Sequence, residues 1–564
     1  MTGCHHSVVM HPAVADRLER LAPDQRRAAT APPGPVLCVA PAGSGKTTTL
    51  VARIAWLIDG GAAPESICAI TFNRRAADEL RERVTGALEP LGEGLADRVR
   101  IRTFHALGLE MLRGARMPVA PLLDREALLR AVRPDASQAE RRRLDTLMSR
   151  FKLDLDIDPA AIKADPEAGP VARTYVAYEA EIRRSGGLDF DDLVARALRL
   201  LETDPSVLAT WRRRTRHLLV DEAQDLDRAQ LRFALLLAAP DNRIFLVGDD
   251  DQSIYGWRLA DEALPNLARV DLETNYRCPA PVIDRAVRLV EHNVERFAKV
   301  IRAGPKAGGR LVLAPSAADD VDRAAAVLAS WPDDGGTRAV LARTNRELLP
   351  VIAAALRLDL PFRAPELRLP IESRHVDVLL ASARADGEAA ARHLEAATHP
   401  LAAHPLVALA RVRASTGPGG VGFPEERSDD DPGASMASIA GSLHAWAAAC
   451  RNLDELATRV EVTRAALARL RTDDAPLLLA TAHGTKGLEF DHVAVIGLDD
   501  GRFPSARSVA EALEPERALE EERRLAYVAW TRARRSLTLV YDPGSPSSFL
   551  TEAFSAKELG LRRK

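Results

Sequence analysis

The stretch Val39 to Leu50 reads Val-Ala-Pro-Ala-Gly-Ser-Gly-Lys-Thr-Thr-Thr-Leu and decides the fold of the first half of the chain. It follows a short apolar run and leads into another, so it lies where a buried strand turns into a helix. Such a loop surrounds a polyphosphate with backbone N–H groups, while its Lys reaches the outer phosphates and its Thr offers a hydroxyl to Mg²⁺. The full pattern begins with Gly, where this chain has Ala40. The stretch therefore predicts a nucleoside triphosphate and Mg²⁺ bound along Ala42, Gly43, Ser44, Gly45, Lys46, Thr47 and Thr48.

Length and composition limit the class of protein. A chain of 564 residues is long enough for several domain-sized units. The net charge of -3 neither demands nor excludes nucleic acid, which would need a locally basic surface. The 5 cysteines lack the Cys-x-x-Cys spacing of metal sites, so we expect no disulfide and no zinc. The N-terminus lacks a signal-peptide pattern and we find no long apolar run, so we expect a cytoplasmic protein without a membrane partner.

Short apolar runs that read as parallel strands recur in two series. The first series comprises residues 36–40, 68–72, 99–103, 218–221 and 244–248. The second comprises residues 311–314, 339–342, 477–481, 493–498 and 537–541, with no second phosphate loop among them. Alternation of strands with helical segments is typical of α/β cores that bind ligands at the carboxyl ends of their strands. We therefore predict two α/β cores with parallel sheets, of which the first carries the phosphate loop.

Two long helical stretches interrupt these cores. We predict a first core of residues 1–106 and 217–280 with a helical insert at 107–216. We predict a second core of residues 281–371 and 475–545 with a shorter helical insert at 372–474, and a C-terminal tail at 546–564. A cluster of Gly, Pro, Ser and Asp at 415–435 predicts a flexible loop in the second insert. Residues 14–30, before the first strand, are predicted to form one helix.

Hydrolysis of a triphosphate requires carboxylates at the end of another strand, to hold Mg²⁺ and to activate water. The run Leu-Leu-Val-Asp-Glu-Ala-Gln-Asp at 218–225 supplies them. Asp221 is placed to hold Mg²⁺, and Glu222 beside it is free to orient or deprotonate the attacking water. An Asp-Glu pair alone could equally be the start of a helix. Its combination with Lys46 and Thr47 favours the catalytic interpretation.

The run at 246–259, Leu-Val-Gly-Asp-Asp-Asp-Gln-Ser-Ile-Tyr-Gly-Trp-Arg-Leu, follows another strand. The amide of Gln252 is placed to sense the γ-phosphate. Tyr255, Trp257 and Arg258 bring two rings and a guanidinium together, and single-stranded nucleic acid binds by stacking its bases on such groups. The competing interpretation is that the two rings pack in a core, as most Trp residues do.

With these segments the chain resembles the superfamily 1A DNA helicases of the UvrD/Rep/PcrA family, and the family motifs follow one another in order. The resemblance extends over 21–26 (Leu-Ala-Pro-Asp-Gln-Arg), 71–80, 102–106 (Arg-Thr-Phe-His-Ala), 188–193 (Leu-Asp-Phe-Asp-Asp-Leu), 273–279 (Glu-Thr-Asn-Tyr-Arg-Cys-Pro), 343–345 (Arg-Thr-Asn), 480–504 and 521–533. It implies two RecA-like P-loop NTPase cores, each with a mainly helical insert, that use ATP and Mg²⁺ to move 3′-to-5′ on single-stranded DNA.

The resemblance also implies roles for individual residues. Around ATP these are Gln25 and Tyr276 on adenine, Glu489 with Gly487 at the ribose, Arg277 at the γ-phosphate and Arg532 as an arginine finger. Together with Lys46, Glu222 and Gln252, the two arginines form the expected catalytic set. On DNA the implied contacts are Phe72, His105, Asn345 and His483, in addition to Tyr255, Trp257 and Arg258.

This chain resembles a short form of the family. The second insert is reduced and lacks the Gly-Ile-Gly duplex-contacting signature, and no C-terminal extension or nuclease motif is expected after residue 541. The leading interpretation is an ATP-dependent 3′-to-5′ helicase of DNA repair or replication restart, expected to act as a monomer at junctions of single- and double-stranded DNA, with nucleoid association. Self-association and repair or replication partners stay open. The alternatives are a translocase that displaces bound proteins with little unwinding and a nucleotide-gated scaffold without turnover.

Overall fold

The structure is a computed structural model that describes residues 10–384 and 450–561, apart from 137, 156, 166, 253–263, 265, 306, 368, 375 and 513. Tyr255, Trp257, Arg258 and the loop predicted at 415–435 therefore lie outside the described residues.

Helices and strands alternate through the described part of the chain. Up to residue 271 they are α1 Pro12–Glu19, α2 Pro23–Ala29, β1 Val36–Val39, α3 Lys46–Asp59, β2 Ile67–Thr71, α4 Arg74–Leu88, α5 Leu95–Arg98, β3 Arg100–Thr103, α6 Phe104–Gly114, α7 Arg125–Val132, α8 Gln138–Leu153, α9 Pro159–Ala164, α10 Pro170–Ser185, α11 Asp192–Thr203, α12 Pro205–Arg214, β4 His217–Val220, α13 Arg228–Ala238, β5 Ile244–Gly248 and β6 Ala268–Asp271. After it they are β7 Thr274–Asn275, α14 Ala280–Val290, β8 Arg302–Ala303, β9 Arg310–Pro315, α15 Asp320–Ser330, β10 Arg338–Ala342, α16 Asn345–Arg357, α17 Leu453–Leu470, β11 Leu477–Thr481, β12 Phe490–Val495, α18 Ala506–Ala510, α19 Pro515–Trp530, β13 Ala533–Tyr541 and α20 Ser548–Ala553.

The first core is built on a parallel sheet in the order β3-β2-β4-β5-β1-β6. Strands β1, β2, β4 and β5 are buried along their whole length, as continuous apolar runs in a sheet covered on both faces must be. The sequence prediction missed β6, because its residues Ala-Arg-Val-Asp lie at the sheet edge and stay partly exposed. The predicted parallel core is confirmed.

The second core repeats the plan with a parallel sheet in the order β11-β10-β12-β13-β9. Its strands correspond to the five apolar runs of the second predicted series, although β12 begins and ends three positions earlier than the run predicted at 493–498. The two-core α/β interpretation is therefore confirmed.

The N-terminal segment differs from its prediction, because two helices, α1 and α2, replace the single helix predicted over residues 14–30. Pro23 lacks an N–H and clashes with a preceding helical turn, so it starts the second helix at its first position. Arg26 then ties the two helices together by donating from Nε to the Leu18 carbonyl over 2.8 Å. The break sets the position of Gln25 near the start of α2.

The first insert has a separate apolar cluster formed by α7, α8 and α10, with Leu129, Tyr178 and Ile182 at its centre. Helices α6, α11 and α12 instead pack in the same cluster as β1, β2 and β4. The part of the first insert that has its own small apolar core therefore comprises fewer residues than the predicted range 107–216. In the second insert, α17 packs on the second core through Leu467 and Leu470.

Candidate nucleotide site and nucleic-acid interface

A cavity of about 680 Å³ lies between the two cores. The first core contributes residues from the loops and helices that follow β1, β2, β4, β5 and β7, and the second contributes residues that precede or begin β9, β12 and β13. The residues that line it are Ala42, Gly43, Gly45, Lys46, Thr47, Thr48, Phe72, Asn73, Ala76, Glu79, Arg83, Asp221, Glu222, Asp225, Gln252, Tyr276, Arg277, Gly308, Lys486, Gly487, Glu489, Arg532, Arg534 and Arg535. One cavity thus collects most of the residues expected around ATP.

The phosphate loop joins β1 to α3, and neighbouring backbone holds its shape. Gly43 and Gly45 have positive φ values of 71° and 84°, which L side chains rarely adopt. The Tyr276 N–H donates to the Gly43 carbonyl over 2.8 Å, and a Cβ on Gly43 would lie 2.7 Å from the Cβ of Arg277. The N-terminus of the 14-residue helix α3 opens into the cavity, and free N–H groups there suit an anionic group.

Lys46 and Glu222 meet across the floor of the cavity, with Nζ 3.1 Å from Oε2. Burial alone would lower the pKa of Lys46, but the charges of Glu222, Asp249 and Asp221 outweigh it and raise that pKa. Burial likewise acts to raise the pKa of Glu222, but Lys46 and a hydrogen bond from Gln224 hold it below its usual range. The pair is therefore ionised at neutral pH.

Asp221 and Thr47 supply the oxygens expected to hold Mg²⁺, and both line the cavity. A carboxylate and a hydroxyl are oxygen donors of the kind that Mg²⁺ prefers. Burial, and then repulsion by Glu222, raise the pKa of Asp221 to about 7. A cation beside the Asp221 carboxylate would offset its repulsion by Glu222. Asp221 and Thr47 therefore suit a bound Mg²⁺.

Gln252 is held beside the phosphate loop by a shared carboxylate oxygen. Asp249 Oδ2 accepts from Gln252 Nε2 over 2.9 Å and from the Ala42 N–H over 2.8 Å. On its other side, the Asp249 N–H donates to Gln224 Oε1, and Gln224 Nε2 donates to Glu222 Oε2 over 2.7 Å. A hydrogen-bonded network therefore joins the expected γ-phosphate sensor to the phosphate loop and to Glu222. Sequence reasoning missed Asp249 and Gln224, although both lie inside the quoted motifs.

The second core presents arginines to the same cavity. Arg532 is buried at the end of α19, where Nε donates to the Val528 carbonyl over 2.9 Å and Nη1 donates to the Leu488 carbonyl over 3.2 Å. Burial, and then the nearby Arg277, lower the pKa of Arg532 to about 10, so it stays charged at neutral pH. Arg277 Nε donates to Glu489 Oε2 over 2.5 Å, and Arg534 pairs with the other oxygen of Glu489.

Two residues expected at adenine lie in different environments. Tyr276 is 48% exposed and lines the cavity. Gln25 is buried against the phosphate loop, where Nε2 donates to the Ser44 carbonyl over 2.8 Å and Oε1 accepts from the Ala22 N–H over 3.1 Å. Ser44 is itself buried at 1% exposure. Gln25 therefore helps to hold the phosphate loop in position through the Ser44 carbonyl.

The described residues that are expected to contact DNA all follow strands. Phe72, after β2, is 57% exposed, and His105, after β3, stacks on Phe190 with centroids 4.0 Å apart. Asn345 and His483, after β10 and β11, are exposed on the second core. Phe190 is 52% exposed and was missed as a candidate, although the motif at 188–193 contains it.

Arg343, which precedes Asn345 in the same motif, is bound within the second core. Its Nη2 lies 2.6 Å from Glu522 Oε1, so its guanidinium pairs with α19. Partial desolvation of the His483 imidazole, and then the charge of Arg343, lower the pKa of His483 below its usual range.

Two parallel-sheet cores with one phosphate loop and a nucleotide cavity between them define a two-core P-loop NTPase. Residues 21–271 match the model of the UvrD/REP helicase N-terminal domain, and residues 435–543 match that of the UvrD-like helicase C-terminal domain. The chain belongs to the UvrD/Rep helicase family, and the resemblance drawn from its motifs is confirmed.

Relatives of known name cover nearly the whole chain. DNA helicase II of Escherichia coli (strain K12) is 30% identical over 93% of this chain and 84% of its own length. The ATP-dependent DNA helicase PcrA of Leuconostoc citreum is 29% identical, over 93% of this chain and 80% of its own length. The ATP-dependent DNA helicase Rep of E. coli K12 is 28% identical, over 92% of this chain and 90% of its own length. Among the described helices, none has the length and apolar character needed to cross a lipid bilayer.

Proposed function

We propose that this protein is an ATP-dependent DNA helicase that moves 3′-to-5′ on single-stranded DNA and separates strands at junctions with duplex, in DNA repair or replication restart. The observation that carries the proposal is the single cavity lined by Lys46, Glu222 and Gln252 of the first core and by Arg532 and Glu489 of the second. A nucleotide bound there contacts both cores, so it favours their closed arrangement, and loss of the γ-phosphate removes that preference.

The proposed chemistry divides among residues already in place. Mg²⁺, held by Thr47 and Asp221, would neutralise phosphate charge when bound. Glu222 orients and deprotonates the attacking water, while Lys46 and Arg532 stabilise negative charge that develops on the phosphoryl group. Gln252 senses the γ-phosphate through its position beside the phosphate loop, and Arg277 exchanges its bond to Glu489 for the γ-phosphate.

DNA is proposed to lie along the exposed groups on both cores. Phe72 and the His105–Phe190 stack offer ring faces on the first core, and bases stack on such faces whatever their identity. Asn345 and His483 offer polar contacts on the second core. Alternate release by the two cores would then move the strand when the cores close and open.

Two assays test the proposal. The first measures ATP hydrolysis with and without oligo(dT), and strong stimulation is expected; no stimulation would eliminate both motor interpretations and leave the nucleotide-gated scaffold. The second compares unwinding of duplexes with 3′ or 5′ single-stranded tails, and preference for the 3′ tail is expected. Preference for the 5′ tail would overturn the polarity, and stimulation without unwinding would favour the translocase that displaces proteins.

A further inference from the structure

Lys299 lies buried among three consecutive carboxylates outside the nucleotide cavity. Its Nζ is 3.0 Å from Asp249 Oδ1 and 2.8 Å from Asp251 Oδ2, and it pairs closely with Asp250. The side chains of the three aspartates are 0% exposed and that of Lys299 is 1% exposed. Three carboxylates would repel one another in a buried place, so the cation between them fixes the geometry of the loop. We name Asp249, Asp250 and Asp251 the acidic loop.

Three further hydrogen bonds join the acidic loop to residues close to Lys299. Arg296 donates from Nε and Nη2 to the two oxygens of Asp251, over 3.0 and 3.1 Å. The Phe297 N–H donates to Asp250 Oδ2 over 2.7 Å. Residues 293–299, which we name the connecting segment, therefore hold every carboxylate of the acidic loop. A bidentate arginine pair adds directional specificity that a single ammonium cannot.

The other end of the connecting segment is bound to α19 of the second core. Glu520 accepts from the Val294 N–H over 2.8 Å, and Arg524 donates from Nη2 to the Glu295 carbonyl over 2.8 Å. Arg523 donates from Nη1 to Asn293 Oδ1 over 2.6 Å. Helix α19 ends two residues before Arg532. The connecting segment thus runs from the helix that positions the arginine finger to the loop that positions Gln252.

We propose that Lys299 is a positioning residue that couples nucleotide-dependent closure of the two cores to the γ-phosphate sensor, by clamping the connecting segment onto the acidic loop. Asp249 links the connecting segment to the nucleotide cavity. Its Oδ1 accepts from Lys299, while its Oδ2 accepts from Gln252 and from the Ala42 N–H. A displacement of α19 is passed through the connecting segment to Asp249, and from there to both nucleotide contacts. This inference rests on the proposed function for its link to DNA, but not for its link to nucleotide.

The structure offers a matched control in the first insert. Lys152 is also a buried lysine among three carboxylates, with Nζ 2.9 Å from Glu179, 3.0 Å from Asp189 and 3.1 Å from Asp192. None of these residues lines the nucleotide cavity. Lys152→Arg therefore disturbs a cluster of the same kind without touching the path between the cores.

The test uses the full chain and three variants, Lys299→Arg, Glu520→Gln and Lys152→Arg. A guanidinium is larger and planar, so at position 299 it keeps the charge but shifts the carboxylates. Glu520→Gln weakens the far end of the connecting segment and leaves the acidic loop intact, so it serves if Lys299→Arg fails to fold. Thermal melting of each variant measures its stability separately from its coupling.

The first readout needs no DNA. Fluorophores on Glu82→Cys and Asp333→Cys, exposed sites on the two cores, report core closure by energy transfer when MgATPγS is added to a Cys4→Ser background. The four described native cysteines are buried, which limits their labelling. We expect the nucleotide-dependent change to fall about tenfold in Lys299→Arg and about threefold in Glu520→Gln, and to persist in Lys152→Arg.

The second readout is the ratio of ATP hydrolysis with oligo(dT) to hydrolysis without it, which we expect to fall further in Lys299→Arg than in Glu520→Gln. Lys152→Arg serves as the control for closure alone, because its partners Asp189 and Asp192 flank Phe190 of the proposed DNA stack. Full closure in both Lys299→Arg and Glu520→Gln would overturn the inference. An equal loss of nucleotide-dependent closure in Lys152→Arg, or no nucleotide-dependent change in energy transfer in the otherwise unaltered protein, would also overturn it. If oligo(dT) fails to stimulate the unaltered protein, the proposed function fails, while the closure measurement still decides the role of Lys299.

Discussion

In the first core, the residues at the nucleotide cavity follow strands, whereas in the second core they precede or begin them. Lys46 lies after β1 and Glu222 after β4, at the carboxyl edge of the first sheet. Glu489 immediately precedes β12 and Arg532 immediately precedes β13, at the amino edge of the second sheet. The two parallel sheets therefore face the nucleotide cavity with opposite edges, the first with its carboxyl edge and the second with its amino edge.

The residues expected to contact DNA show what this difference between the two sheet edges implies. Phe72 and His105 lie at the carboxyl edge of the first sheet, the edge that also holds the nucleotide residues. Asn345 and His483 lie at the carboxyl edge of the second sheet, opposite its nucleotide residues. The second sheet thus separates its two sets of contacts, so a rigid movement of that sheet against the nucleotide also moves the DNA contacts.

The largest expected effect is at the carboxyl edge of the first sheet. Lys46→Ala removes a buried cation from the phosphates, and we expect the kcat of ATP hydrolysis to fall by about 10³-fold while affinity for single-stranded DNA persists. Steady-state kinetics measure the kcat of ATP hydrolysis, and fluorescence anisotropy with labelled oligo(dT) measures the affinity for single-stranded DNA. Lys163→Ala, an exposed site on α9, is the control. Hydrolysis within tenfold of the unaltered protein would contradict the assignment.

The next effect tests the amino edge of the second sheet. Arg532→Lys keeps the charge but loses the planar guanidinium, and we expect kcat with saturating DNA to fall about 10²-fold, less than for complete loss of an arginine finger. The KM for ATP should change much less. Arg357→Lys, at a half-exposed arginine at the end of α16, is the matched control. A loss confined to DNA affinity would show that the second core contributes DNA contacts and no catalytic group.

Two substitutions with smaller expected effects compare the carboxyl edges of the two sheets. Phe72→Ala removes an exposed ring, and we expect affinity for oligo(dT) to fall about tenfold, since stacking on one base contributes about 1–3 kcal/mol. Asn345→Ala removes a polar contact, for which about threefold is expected. Anisotropy titrations at one fixed salt concentration measure both. Unchanged affinity in both variants would place DNA elsewhere on the cores.

The smallest expected effect concerns pH at His483. Its lowered pKa means that the imidazole gains a proton only below its usual value of about 6.5. Between pH 8 and pH 6.5 it therefore stays mainly neutral and adds little attraction for phosphate. We expect the ratio of oligo(dT) affinities of the unaltered protein and His483→Gln to change by less than about 1.5-fold over this range. A several-fold rise on acidification would show that the histidine binds DNA as a cation.

The sequence predicted those features that depend on local order. Fully buried strands of parallel sheets are continuous apolar runs, so β1, β2, β4 and β5 were identified, whereas the half-exposed edge strand β6 was not. Lys46, Glu222 and Gln252 follow such strands, and one general rule located them. Their neighbours Asp249 and Gln224 were missed because their role depends on hydrogen bonds to partners far along the chain.

The second core shows the limit of reasoning from spacing. Placement of Glu489 and Arg532 came from resemblance alone, because no rule of strand order predicts ligands at amino edges. Lys299 was missed for a similar reason: an isolated lysine in a polar segment usually lies in solvent, and its burial depends on carboxylates some fifty positions earlier.

Arg532 stands between Thr531, which caps α19, and Ala533, the first residue of β13, with no intervening loop. One inserted residue would turn the side chain by about 100° around the helix axis or slip the strand by one position, exchanging its inward and outward faces. The junction should therefore be intolerant of insertions and deletions. Length variation among functional homologues is expected to fall elsewhere, in surface connections such as the 331–337 turn.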